Sequence, residues 1–226
     1  QTNKPKWDGA GILAIEHYRW PGSSKTEPCV ILFGQFKPDH TSPGQQKYVY
    51  EEAGGARASN EQPWITAARE LKEESCNLLR INKHQIQTCP SVRIDNYICY
   101  IVNLRCKSGI FSKYYYENKK NIEKYHRKKN RVPYEWRETT NMTRVPLSQF
   151  VNANGKAKRE VKQRGDIVVT DTKGNTINIS GRCKLCILSS LQHGALFAAP
   201  TFTLTFQPFF NFGHPPMYLK GTKTYF

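Results

Sequence analysis

Three glutamates, Glu70, Glu73 and Glu74, fall within the run AARELKEES, and spacings of three and four residues put their carboxylates on one face of a helix. Like charges so placed cost an isolated helix about 0.2 to 0.5 kcal/mol per pair, so a chain that keeps three of them points to a cation that neutralises them. An all-oxygen donor set suits a hard divalent ion, Mg²⁺ or Mn²⁺, which takes carboxylates and waters and usually bridges to a phosphate. The plainer reading is a solvated acidic face. Against it, Lys72 is the only base among the glutamates, and solvation does not account for the ordered residues upstream.

Those residues begin at Gly55. Five residues lead from it to Glu61, seven more lead to Arg69, and Glu70, Leu71, Lys72, Glu73 and Glu74 follow. The pattern resembles the Nudix box, G-x5-E-x7-R-E-U-x-E-E-x-G-U with U aliphatic. It is matched at Gly55, Glu61, Arg69, Glu70, Leu71, Glu73 and Glu74, over about a tenth of the chain. The end differs: Cys76 stands where the family has glycine, and Asn77 where it has an aliphatic residue, with Leu78 one place later. Glycine there would serve as a left-handed helix cap, a conformation Asn77 can also adopt.

The resemblance implies an α/β Nudix fold, a mixed β-sheet sandwiched between helices (α/β/α), and a phosphoanhydride hydrolase that uses Mg²⁺ or Mn²⁺. It implies metal ligation by Glu70, Glu73 and Glu74 with the Gly55 carbonyl, and a salt bridge between Glu61 and Arg69 that holds the loop against the helix. Family members commonly add a glutamate from outside the box. In mRNA-decapping members it lies six residues before a tryptophan and nine before a leucine. Glu138 meets the second interval through Leu147, while Arg144 replaces the tryptophan. Glu135 is the alternative, and a structural salt bridge is the plain reading of either. Glu70, Glu74 and Glu138 are thus the catalytic candidates, with Glu74 or Glu138 taking the proton of the attacking water.

The elements that must position these groups are legible in part. GAGILAIEHY and EPCVILFGQF read as paired strands, KYVYEEAGG as a strand leading into the box loop, and Pro63 as the first turn of a helix running through Glu74. HQIQTCPSV and NYICYIVNLRC read as further strands, and RVPLSQF as a late strand and turn. Leu185, Leu188 and Leu191 give helical spacing over residues 179–193, which Gly194 would end. Cys183 and Cys186 within it read as packing rather than as a metal or redox pair, since no second cysteine pair lies nearby.

The chain has 226 residues, 38% hydrophobic, and a formal net charge of +16, which fits a single domain over residues 1–226 with a basic insertion at about 107–137 and an aromatic-rich extension at about 195–226. In the insertion, Lys119, Lys120, Lys124, Arg127, Lys128, Lys129 and Arg131 are interleaved with tyrosines. Such cations would track an RNA backbone while rings stack unpaired bases at about 1 to 3 kcal/mol each. A Lys-rich bias on solvated loops is the plain alternative. Capped 5′ RNA is therefore the expected partner, with a diphosphoinositol polyphosphate, a nucleotide derivative or a non-catalytic RNA-binding role as alternatives. Trp7, Trp20, Tyr48, Tyr50 and Trp64 are candidates for a cap-base slot. The extension is too apolar for a free tail and would pack on the body or on a second copy. Seven cysteines, odd in number and set in apolar runs, suggest free thiols in the cytosol or nucleus. No apolar run is long enough to span a membrane.

Overall fold

The computed structural model describes residues 7–203 except 40–41, 106–109, 130–131, 153, 155, 157 and 159–164, together with the side chains of 110 and 129. The chain opens with two long strands, β1 (Gly9–Arg19) and β2 (Thr26–Pro38), which alternate strictly between two cores. Leu13, Ile15, Val30 and Leu32 enter one; Ala10, Ile12, Ala14, Ile31 and Phe33 enter the other. Strands buried on both faces read as continuous apolar runs, and their period of two divides the side chains between two layers of helices.

Then come β3 (Gln46–Glu51), β4 (Ala53–Ala56), α1 (Pro63–Glu74), α2 (Lys83–Gln87), β5 (Ser91–Ile94), β6 (Tyr97–Arg105) and α3 (Ile110–Lys129). The chain continues with α4 (Glu135–Glu138), β7 (Asn141–Pro146), β8 (Ile167–Thr170), β9 (Thr176–Ile179), α5 (Gly181–Gln192), α6 (Ala195–Ala198) and β10 (Thr201–Thr203). The 10-stranded sheet runs β10-β6-β1-β2-β3-β9-β8, with β4 on β1, β5 on β6 and β7 on β2. It is mixed: β6 lies parallel to β1 and β10, and β9 parallel to β3, while the remaining pairs are antiparallel. Residues of α1, α2 and α3 close one core (Leu71, Ile86, Phe111, Tyr115, Ile122), and residues of α5 and α6 close the other (Cys183, Cys186, Ile187, Leu196). The architecture is the α/β/α arrangement expected from the sequence.

One sequence expectation changes, and other segments gain detail that the sequence did not carry. HQIQT, read as part of a strand, forms α2, because the Asn82 side chain caps it at the His84 amide (2.9 Å) and Ile86 is its one buried residue; only Ser91–Ile94 is extended. The hydrophilic stretch taken as an insertion holds a 20-residue helix, α3, whose Phe111, Tyr115 and Ile122 lie in the core. Arg144, at the position where decapping members carry tryptophan, is buried, and its Nε donates to Glu16 Oε2 at 2.5 Å. Of the C-terminal extension, residues 195–203 form α6 and β10, docked on β6; residues 204–226, and with them the dimer expectation, lie outside the described residues.

Candidate active site

The box folds into a strand, a loop and a helix held by one arginine. Pro63 occupies the first turn of α1, where no amide partner is needed, so the helix starts directly after the loop. Glu61 Oε2 accepts from the Ala58 amide at 3.2 Å and from Thr66 Oγ1 at 2.7 Å, while its Oε1 accepts from Arg69 Nε at 3.0 Å. Arg69 Nη2 reaches back to the Ala56 carbonyl at 3.0 Å. Loop, helix and the end of β4 are thereby tied together, and the pairing with Arg69 holds the Glu61 carboxyl below its usual range.

The other side of the same guanidinium meets the helix glutamates. Arg69 Nη1 lies 2.6 Å from Glu70 Oε1 and 3.2 Å from Glu73 Oε2. Gly55 packs directly on the Glu70 carboxyl group, and a Cβ there would collide with it. Burial drives the Glu70 carboxyl up to about 7 in spite of Arg69, and the charges of Glu73 and Glu138 push the same way. Burial likewise raises Glu73, with Glu135 adding to the effect. Glu74 is 3% exposed, and its Oε2 has no hydrogen-bond partner. Desolvation, then the charges of Glu70 and Glu51, hold its carboxyl well above the normal range.

Glu138 closes α4, which sits on α1: Lys72 Nζ lies 5.4 Å from the centre of the Trp136 ring, and Thr139 Oγ1 donates to the Glu74 carbonyl at 3.0 Å. The fold thus sets Gly55 against Glu70 and brings Glu138 of α4 to the C-terminal half of α1, which carries Glu70, Glu73 and Glu74, while Arg69 of the same helix ties it to Glu61 of the loop.

Glu51 and Glu52 also belong to this charged region, and spacing rules did not single them out. Glu51 binds Lys37 at 3.1 Å and Arg182 at 3.2 Å, and Glu52 binds Arg182 at 3.1 Å. Burial raises the Glu51 carboxyl, but Arg182 and Lys37 outweigh it and bring it below its usual value. The available signal was two acids at the end of an apolar strand, just before Gly54 and Gly55.

The expected RNA face is partly withdrawn. Lys120, Lys124, Arg127 and Lys128 are exposed on the outer side of α3. Lys119 is not: it is buried, and its ammonium donates to the Arg137 carbonyl at 3.1 Å, because its position faces α4. The Lys129 side chain and Arg131 lie outside the described residues. Of the cap-slot candidates, Trp7 and Trp64 pack against the core and Trp20 packs edge-on against Tyr18, whereas Tyr48 and Tyr50 line a cavity. The six described cysteines are free and buried, Cys183 and Cys186 among the core side chains. Among the described residues, no helix is long and apolar enough to cross a membrane.

Neither a family model nor a curated protein matches the chain. Among solved structures, a C. elegans Ap4A hydrolase binary complex is similar at 15% identity over 62% of this chain and 80% of its own, with a TM-score of 0.31. RenU, a Nudix hydrolase from M. smegmatis, shares 15% identity over 64% of this chain and 73% of its own (TM-score 0.32). A mutT/nudix family protein from Listeria innocua shares 14% over 65% and 82% (TM-score 0.31). What this chain can do follows from its own side chains.

Proposed function

We propose that this chain is a divalent-cation-dependent phosphoanhydride hydrolase of the Nudix kind. Its substrate is the capped 5′ end of RNA, from which it releases a capped-nucleoside diphosphate and a 5′-monophosphate RNA. The observation that carries the reading is the folding of the seven box positions into one unit, with the buried, unpartnered Glu74 oxygen beside Glu70. A buried carboxylate without a partner is costly unless a cation or a proton compensates it.

The donor set fits Mg²⁺ or Mn²⁺: every candidate ligand is oxygen, from Glu70, Glu73, Glu74, Glu138 and the Gly55 carbonyl. Among the described residues, no three His, Cys, Asp or Glu side chains are grouped as a ligand set, and Arg69 pairs with Glu70 and Glu73. Glu70 or Glu73 would exchange the guanidinium for the ion. When bound, the ion would neutralise a diphosphate and lower the pKa of a water. The chain supplies the rest: Glu61 and Arg69 hold the loop, Gly55 leaves room for the Glu70 carboxylate, and Glu74 or Glu138 takes the proton from the attacking water. Exposed Lys120, Lys124, Arg127 and Lys128 would draw the phosphate backbone. Free buried thiols accord with a reducing compartment, cytosol or nucleus.

The test is incubation with Mg²⁺ or Mn²⁺ and cap-labelled RNA, beside free cap dinucleotide and a diphosphoinositol phosphate, with identification of the product. Release of methylated guanosine diphosphate from RNA supports the reading. Turnover of the small molecules alone replaces it with metabolite hydrolysis, and binding of RNA without any turnover replaces it with a non-catalytic role.

A further inference from the structure

At Gly34 the surface of β2 is bare. A Cβ there would collide with the Tyr48 hydroxyl, so only glycine lets that ring lie across the strand to Thr140, whose Oγ1 is 2.7 Å from the Tyr48 Oη. One residue on, Asn141 Nδ2 donates to Tyr50 Oη at 2.8 Å, and Asn141 Oδ1 accepts from the Tyr116 hydroxyl of α3. Tyr48, Tyr50, Tyr116 and Asn141, with the β8–β9 turn, wall a cavity of about 540 Å³, a volume within the range of small-ligand sites.

The lining chemistry is selective. Three tyrosines and several amides face the cavity, with Lys173 as the one cation in its lining, its Nζ 5.8 Å from the centre of the Tyr116 ring. Asp171, the one acid there, is committed to the turn: it accepts from the Lys173 and Asn175 amides, from Asn175 Nδ2 at 3.1 Å and from Thr143 Oγ1 at 2.7 Å. An inositol polyphosphate needs several converging cations; rings and amides with a single cation suit a flat heterocycle with polar edges. The chain that lines the cavity also meets the backbone at the end of α1. Thr139 touches the Glu74 carbonyl, and Asn141 stands two residues later, no more than about 7 Å along the chain. Tyr116, Lys120 and Lys124 are four residues apart and exposed, so they share one face of α3.

We infer that this tyrosine-lined cavity is the subsite for one unpaired nucleobase of the RNA, its ribose-phosphate chain following the Tyr116, Lys120 and Lys124 face of α3. The inference rests on the RNA reading above and specifies where that substrate is gripped. It is tested with the full chain by fluorescence anisotropy on a short single-stranded RNA and on an abasic oligonucleotide of the same length, beside cap hydrolysis. Tyr116→Ala should weaken the base-containing strand about tenfold and leave the abasic one unchanged. Tyr116→Phe, which keeps the ring and controls for folding, should bind as the parent does. An unchanged affinity in Tyr116→Ala, or an equal loss on both strands, overturns the subsite; if the parent still hydrolyses capped RNA, the functional reading survives that result. A parent that cleaves only diphosphoinositol phosphate overturns both.

Discussion

Glu74 sits where an ionised carboxylate is least comfortable, with one oxygen buried and unpartnered and other carboxylates near enough to raise its pKa. An uncompensated buried charge costs several kcal/mol, so the metal-free protein holds it protonated or destabilised. Replacing it by its neutral isostere separates stability from chemistry. Glu74→Gln should raise the melting temperature of metal-free protein at pH 8 while lowering metal-dependent turnover by orders of magnitude, and calorimetry beside a cap-release assay reads both. A lower melting temperature would mean that the carboxylate is compensated within the fold. Gly55 makes the complementary case, since the space it leaves is occupied by the Glu70 carboxyl group. Gly55→Ala should therefore push Glu70 aside and depress turnover while RNA affinity holds; normal turnover would remove that close approach from the mechanism.

The helix α1 carries the glutamates, and its C-terminal end decides where they point. The Asn77 amide donates to the Lys72 carbonyl at 2.7 Å and the Cys76 amide to the Glu73 carbonyl at 3.0 Å, the paired bonds of a Schellman cap. Cys76 and Asn77 are both left-handed, with φ of 52° and 64°. Cysteine takes the position where glycine is usual because its side chain is fully buried among the core residues behind the helix. Asn77 suits its own position and accepts from Arg80. Asn77→Ala should cost about 1 kcal/mol, chiefly through the left-handed backbone, measured as a lower denaturant midpoint. An unchanged midpoint would mean the cap is not held by residue type.

Across the whole molecule, the raised carboxyls set how stability depends on pH. Folded Glu70 titrates at about 7 against 4.5 for the free side chain, and Glu73 and Glu74 are raised as well. Between those values the folded protein keeps protons that the unfolded chain has released, so stability falls as pH rises through the window, by about 3 kcal/mol from Glu70 alone. Glu51, Glu61 and Asp171 are lowered and act in the opposite sense, supporting the fold above the usual carboxylate range and withdrawing that support in acid. Metal-free protein should thus melt highest near pH 5, and Mg²⁺ or Mn²⁺ should stabilise it more at pH 8 than at pH 5, because ligation displaces protons. Thermal melts across pH, with and without the ion, check this; a rising melting temperature from pH 5 to 8 in the absence of metal would contradict it. The exposed cations of α3 act at the same scale. Removing Lys124 and Lys128 should lower the slope of log affinity against log salt by about 0.7 for each phosphate of single-stranded RNA that is no longer neutralised, and an unchanged slope would detach that face from the substrate.

By itself the sequence determined the box, the two long strands, β6 and α5, because each depends on spacings within one segment: a helix period for Glu70, Glu73 and Glu74, and unbroken apolar runs for the strands. Only the tertiary structure decided which faces those segments cover. HQIQT became a short helix under an asparagine cap, and Lys119 was turned inward against the Arg137 carbonyl although its neighbours Lys120 and Lys124 face solvent. Arg144 found Glu16 across 128 residues, and Arg182 found Glu52 across 130. The tyrosine cavity likewise joins β3, β7, α3 and the β8–β9 turn. Periodicity states which side chains share a face; the charge or ring that meets them comes from distant segments brought together by packing, and one segment read alone carries no record of that meeting.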